Sequence, residues 1–152
     1  LYHQKVAGNL HGILWHIFKN YPCTVFIAPF DVRLLNKKKS KIDKEIYTVV
    51  QPDLCVICDE SKLDERGAIG APDLIIEILS SGNSKKEMTH KYELYQEAGV
   101  LEYWMVNPLD KTIFIYVLKN GIFSGQQPLV EENQIKSPLF PQLDFKIAVI
   151  FN

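Results

Sequence analysis

Pro52-Asp53-Leu54-Cys55-Val56-Ile57-Cys58 and Pro72-Asp73-Leu74-Ile75-Ile76-Glu77-Ile78-Leu79-Ser80 are two short apolar runs, each opened by Pro-Asp, and the rest of the chain is read outward from them. Runs of this length between turn residues predict buried strands. An acidic side chain in the middle of the second run is expensive to bury without a partner, so Glu77 needs more than a packing explanation. If the two strands pair antiparallel across the connection at 59–71, Cys58 lies near Pro72 or Asp73. Counting back along that ladder sets Asp53 opposite a position near Glu77, ~5 Å away if both share a face. Asp73 lies several residues further along, at ~3.3 Å per residue, and is out of reach.

Two carboxylates at that separation repel unless a cation lies between them. Hard oxygen donors of this kind suit Mg²⁺ or Mn²⁺, which keep several waters and accept phosphate oxygens in the remaining positions. A cation held there would activate water and neutralise charge on a phosphoryl group. Alternation puts Leu79 where a lysine would stand beside the metal. The next helix offers a substitute, because Glu87 and Lys91 are four apart and share a face that begins near the strand's end. From spacing alone, the same two residues also read as an exposed helical ion pair.

At 152 residues, with 47% hydrophobic and 23% charged residues, the chain has the size and composition of one folded domain with one core. No apolar run approaches the roughly twenty residues of a membrane helix. Leu1 is not a natural start, so the chain is expected to begin inside a longer protein, with any targeting signal upstream. Cys23, Cys55 and Cys58 are read as structural thiols in a reducing cytoplasm; the C-x-x-C has no second pair or histidine cluster to complete a zinc site. A net charge of −1 supplies no global attraction for nucleic acid.

The apolar steps of Val6, Leu10, Ile13, Leu14 and Ile17 predict a helix from Tyr2 to Phe18, ended by Asn20 and Tyr21-Pro22. Its histidines, His3, His11 and His16, read as solvated or capping. Residues 24–35 predict one strand, with Pro29 marking an edge or an irregularity. Asn36-Lys37-Lys38-Lys39-Ser40-Lys41 is a hairpin tip and the one basic cluster able to meet phosphates. A strand from Glu45 runs through the first Pro-Asp to Cys58, and residues 59–71 are a polar connection. Ser84, three before Glu87, predicts a capping box for a helix to Ala98, with Gly99 as its left-handed cap. Strands follow at 103–106 and 112–118, and Asn120-Gly121 turns into a further one. Residues 137–152 close the chain as a loop and a short element. Tyr95, Tyr103 and Trp104 read as packing residues, and Asp31 and Arg33 either border the site or pair across strands. The order predicts an α/β or α+β fold with one mixed sheet flanked by helices.

Several stretches resemble the Uma-type putative restriction-endonuclease family, within the PD-(D/E)XK nuclease-like superfamily. They are 50–53, 70–80, Lys91 with Tyr95, and Ala98-Gly99 through Asn107-Pro108. Residues 28–34, His3-Gln4 and Gly8-Asn9-Leu10 extend the likeness over nearly the whole chain. The resemblance implies a restriction-endonuclease-like core over residues 1–152, with Asp53 as the first acid and Glu77 as the second. Lys91 matches a lysine that this family carries on the helix, which is how Leu79 is tolerated. Ser80-Ser81 stands where the family commonly has Ser-Pro, and Glu87 where it has aspartate. An acidic residue often found in the preceding segment would lie upstream of Leu1.

The expected function is that of a metal-dependent endonuclease hydrolysing DNA, with Asp53 and Glu77 holding Mg²⁺ or Mn²⁺ and Lys91 orienting water or phosphate. A non-catalytic nuclease-like domain that binds nucleic acid or a protein partner is the alternative. The presence of Asp53, Glu77 and Lys91 together speaks against that alternative, and the missing basic balance speaks for it. One small domain offers little surface for reading a duplex, which leaves a homodimer open.

Overall fold

The computed structural model describes residues 1–35 and 47–152. Helix α1 (Tyr2–Phe18) opens the chain, followed by strands β1 (Thr24–Ile27), β2 (Val32–Leu35), β3 (Tyr47–Val50) and β4 (Leu54–Ile57). A 3-10 turn at Glu60–Lys62 leads into β5 (Leu63–Asp64) and β6 (Gly67–Ile69). Then come β7 (Leu74–Ile78), α2 (Lys85–Ala98), β8 (Glu102–Asn107), β9 (Thr112–Lys119) and β10 (Ile122–Gly125). β11 (Gln134–Lys136), β12 (Asp144–Lys146) and α3 (Ala148–Phe151) complete it.

Among the described residues the strands make a six-stranded sheet in the order β1-β4-β7-β8-β9-β10, a four-stranded sheet β3-β2-β6-β5, and the ribbon β11-β12. Neighbours in the large sheet run antiparallel except β7 and β8, which are parallel and joined by α2 as the crossover that parallel strands require. This is the mixed α+β layout expected from the order of apolar runs, but the described strands are divided among three sheets rather than joined in the one mixed sheet expected.

The central strands are buried on both faces, which is why β4 and β7 read as nearly continuous apolar runs rather than alternating ones. Leu54, Val56, Leu74, Ile76 and Ile78 point to one side and pack with Val6, Leu10, Leu14 and Phe18 of α1 and with Phe140, Leu143, Ile147 and Ile150 near the C-terminus. Each such side chain contributes about 1.5–3 kcal/mol by leaving water. Cys55, Ile57 and Ile75 point the other way, towards Tyr95 of α2 and Val32 and Leu34 of the four-stranded sheet. Position 77 falls on this second side. The ends of α2 are set locally: Ser84 Oγ accepts the Glu87 amide at 3.1 Å, and Gly99 caps the C-terminus at φ 89°.

Three expectations are corrected. Residues 24–35 form two strands in different sheets: the Ala28 amide still bonds the Asp53 carbonyl in the β1-β4 register, and Pro29, with no N–H, carries that ladder no further. Pro52 divides the next stretch in the same way, leaving β3 in the small sheet and β4 in the large one. The connection at 59–71 contains the β5-β6 hairpin. Gly67 is required in it, because a Cβ there would stand 2.1 Å from the Asp31 carbonyl oxygen, where β6 passes β2. The lysine-rich tip at 36–41 and the predicted strand start at Glu45 lie outside the described residues.

The reading of three free thiols is also corrected. Cys23 precedes β1 and Cys58 follows β4, so the pairing of Thr24 with Ile57 places them opposite, and they form a disulfide. Cys55 is the free, buried cysteine, its thiol pushed up to about 12 by burial and then by the Glu77 charge.

Candidate active site

β4 and β7 pair with Leu54 opposite Ile76 and Cys55 opposite Ile75, so the next step outward sets Asp53 against Glu77. That is the pair reached by counting back from the connection. Alternation gives both residues the face that carries α2. Asp73, the other Pro-Asp aspartate, lies at the far end, where its Oδ2 accepts the Cys58 amide at 2.8 Å and its own amide donates to the Val56 carbonyl. Its role is to close the strand pair.

Glu77 is 5% exposed. Tyr95 donates its hydroxyl to Oε1 at 2.6 Å, and Lys91 Nζ stands 3.3 Å from Oε2. Lys91 and Tyr95 are one helical turn apart, so the register of α2 that brings one to Glu77 brings the other. Burial pushes the Glu77 carboxyl above its ordinary range; Lys91 and the Tyr95 hydrogen bond pull it down, and the neighbouring Asp53 pushes it up. The Tyr95 phenol is raised by burial and then by Glu77, which keeps it protonated and donating. Asp53 is held on two sides: the Ile78 amide donates to Oδ2 at 2.7 Å, and His3 Nε2 lies 3.1 Å from Oδ1.

His3, Gln51, Asp53, Glu77, Lys91 and Tyr103 line a cavity of about 150 Å³. A second cavity of about 300 Å³ adjoins it, bordered by Tyr2 and Pro108, and the two share His3, Leu79, Ser80, Asn83 and Met88. The larger space is the vestibule and the smaller one holds the charged groups.

All three predicted site residues, Asp53, Glu77 and Lys91, therefore line one cavity. Lys91 reaches Glu77 rather than serving only as a surface partner of Glu87. Two other expectations change. His3, read as solvated or capping, touches Asp53. Tyr95, read as packing, is fully buried and also hydrogen-bonds Glu77. The four-residue step from Lys91 could have revealed Tyr95, whereas helix periodicity alone could not show that the first turn of α1 overhangs Asp53. Arg33 pairs with Asp64 at 2.5 Å, away from the cavity, while Asp31 accepts from Gln51 at 2.7 Å and so borders it indirectly.

The donor set fits a hard divalent cation. Asp53 and Glu77 supply oxygen ligands at one cavity, with like charges close together and one buried. Among the described residues no group of three or more His, Cys, Asp and Glu side chains is arranged to hold a metal. Two carboxylates with the other positions left to water and phosphate oxygens are the arrangement Mg²⁺ commonly takes.

A family model described as Uma2, putative restriction endonuclease, matches residues 2–149. Among solved structures, a putative nuclease belonging to DUF820 from Anabaena variabilis ATCC 29413 is similar at a TM-score of 0.74 and 19% identity, covering 99% of this chain and 80% of that one. That likeness is one of fold. No curated protein matches the chain.

Proposed function

The chain belongs to the Uma2 putative restriction endonuclease family, and from that membership we propose that it is a metal-dependent nuclease hydrolysing phosphodiester bonds of DNA. The observation that carries the proposal is the convergence of Asp53, Glu77 and Lys91 on one cavity. Asp53 and Glu77 would hold Mg²⁺ or Mn²⁺, and the cation when bound would lower the pKa of a water and offset charge on the phosphoryl oxygens.

The protein's own groups supply the rest. Tyr95 fixes one oxygen of Glu77 and leaves the other turned towards the cavity. Lys91, 37% exposed at its side chain, has room to leave Glu77 and hydrogen-bond the attacking water or a phosphate oxygen. A water oxygen would bond to phosphorus as the bond to the leaving sugar oxygen breaks, the water losing one proton to solvent and the leaving oxygen taking one from solvent. A homodimer would bring two such sites to the two strands of a duplex.

The test is cleavage of plasmid and linear DNA with Mg²⁺ or Mn²⁺ by the wild type, Asp53→Ala and Glu77→Ala. Activity in the wild type alone is expected. Equal activity in all three would remove this site, and no activity on any nucleic acid would favour the non-catalytic binding module.

A further inference from the structure

His3 is on the same helical stripe as Val6, Ala7, Leu10 and Leu14, the residues α1 buries against the sheet. The stripe continues past the end of the apolar contact, so the imidazole is delivered inward, over the strand ends, rather than into solvent. There Nε2 lies 3.1 Å from Asp53 Oδ1, with the His3 side chain 35% and the Asp53 side chain 19% exposed. His3 also lines both the charged cavity and the vestibule, so it stands at their junction.

Asp53 needs such a contact. It lies just ahead of β4, and its carboxylate swings freely unless side groups hold it. The Ile78 amide fixes Oδ2 at 2.7 Å, which leaves Oδ1 to be fixed from the other side. Each carboxylate oxygen has two lone pairs, so these contacts leave one lone pair on each oxygen for a cation. Carboxylate ligands are oriented by outer partners of this kind, and loss of such a partner typically costs about 10–100-fold in metal affinity.

We propose that His3 is a positioning residue for Asp53, presenting its carboxylate to the divalent cation. The inference rests on the metal-binding reading above. Its test is Mn²⁺ binding by the full chain, followed by calorimetry and electron paramagnetic resonance, in the wild type, H3A, H3Q and D53N. Gln places an amide N–H at a reach similar to that of Nε2. H3A is expected to weaken Mn²⁺ about tenfold or more, H3Q to restore most of the affinity, and D53N to abolish binding, with the metal-free melting temperatures of both His3 variants unchanged. Wild-type affinity in H3A overturns the role of His3 and leaves the metal site intact. H3Q as weak as H3A overturns the positioning role in favour of direct imidazole ligation. A wild type that binds no Mn²⁺, or D53N binding as tightly, overturns the metal reading itself and this inference with it.

Discussion

Asp53 and Glu77 face one another across an antiparallel strand pair, one step beyond Leu54 and Ile76. One is held by a backbone amide and an imidazole, the other by a phenol and an ammonium. Neither is the other's partner. The fold thus keeps two like charges close, one of them almost wholly buried, and packing gains nothing from that arrangement.

Glu77 should therefore lower stability at neutral pH. Its carboxyl is raised in the folded state, chiefly by burial. Between its unfolded and folded pKa the native state binds more protons, so stability falls as pH rises through that window and stays reduced above it. Glu77→Gln should melt higher than the wild type at pH 7–8, and the difference should shrink as pH falls into the ordinary carboxylate range. Thermal melts of both proteins across that range check it, and a gap that does not vary with pH would contradict it.

The two Pro-Asp aspartates should behave differently. Asp73→Ala removes the acceptor of the Cys58 amide and should cost about 1–3 kcal/mol of stability while leaving Mn²⁺ binding unchanged. Asp53→Ala should abolish Mn²⁺ binding. Urea unfolding and metal titration on the two variants separate the roles, and weakened Mn²⁺ binding in Asp73→Ala would count against the assignment.

Lys91 has the largest downward influence on the Glu77 carboxyl. Lys91→Ala should lower the cleavage rate by about 10²–10⁴-fold, the scale for losing a group that handles water or proton transfer. It should also move the Glu77 titration further up, so that Mn²⁺ binding is lost at a higher pH on acidification than in the wild type. Rate measurements and metal titrations against pH report the two effects separately.

The pairing of Asp53 with Glu77 was legible in the sequence because it depends only on antiparallel counting and on period-2 alternation, both fixed by backbone geometry. α1 and α2 were legible for the same reason: their apolar steps, Ser84 and Gly99 are local signals. The break at Pro29 was visible, but its consequence was not, because which sheet β2 joins is decided by β6 and Gly67, more than thirty residues later. His3 and the Cys23–Cys58 bond were hidden similarly. Each depends on two elements distant in sequence meeting, and no local pattern records that. Glu102 also passed unnoticed, since a lone acid at the start of a strand is usually solvated.

Glu102 is instead fully buried on β8, and its hydrogen bonds tie β8 to the C-terminal segment. Trp104, two residues on and on the same face, donates its indole N–H to Oε2 at 2.6 Å. Ser137 donates its hydroxyl at 2.8 Å, and the Leu139 amide donates to Oε1 at 3.0 Å. Burial raises this carboxyl, and the three donors pull it back. Ser137 and Leu139 begin the segment that carries Phe140, Leu143, Ile147 and Ile150 onto the α1 face of the sheet. Removing the acceptor strands three donors and loosens that segment together. Glu102→Ala should therefore cost a few kcal/mol, since each neutral donor left buried without an acceptor costs about 1–3 kcal/mol. Hydrogen exchange should accelerate first at residues 137–147. Glu102→Gln, which keeps one acceptor and turns a donor towards donors, should fall between. Urea unfolding with exchange measured by mass spectrometry tests both, and a loss of protection spread evenly over the sheet would show that Glu102 does not anchor the C-terminal segment.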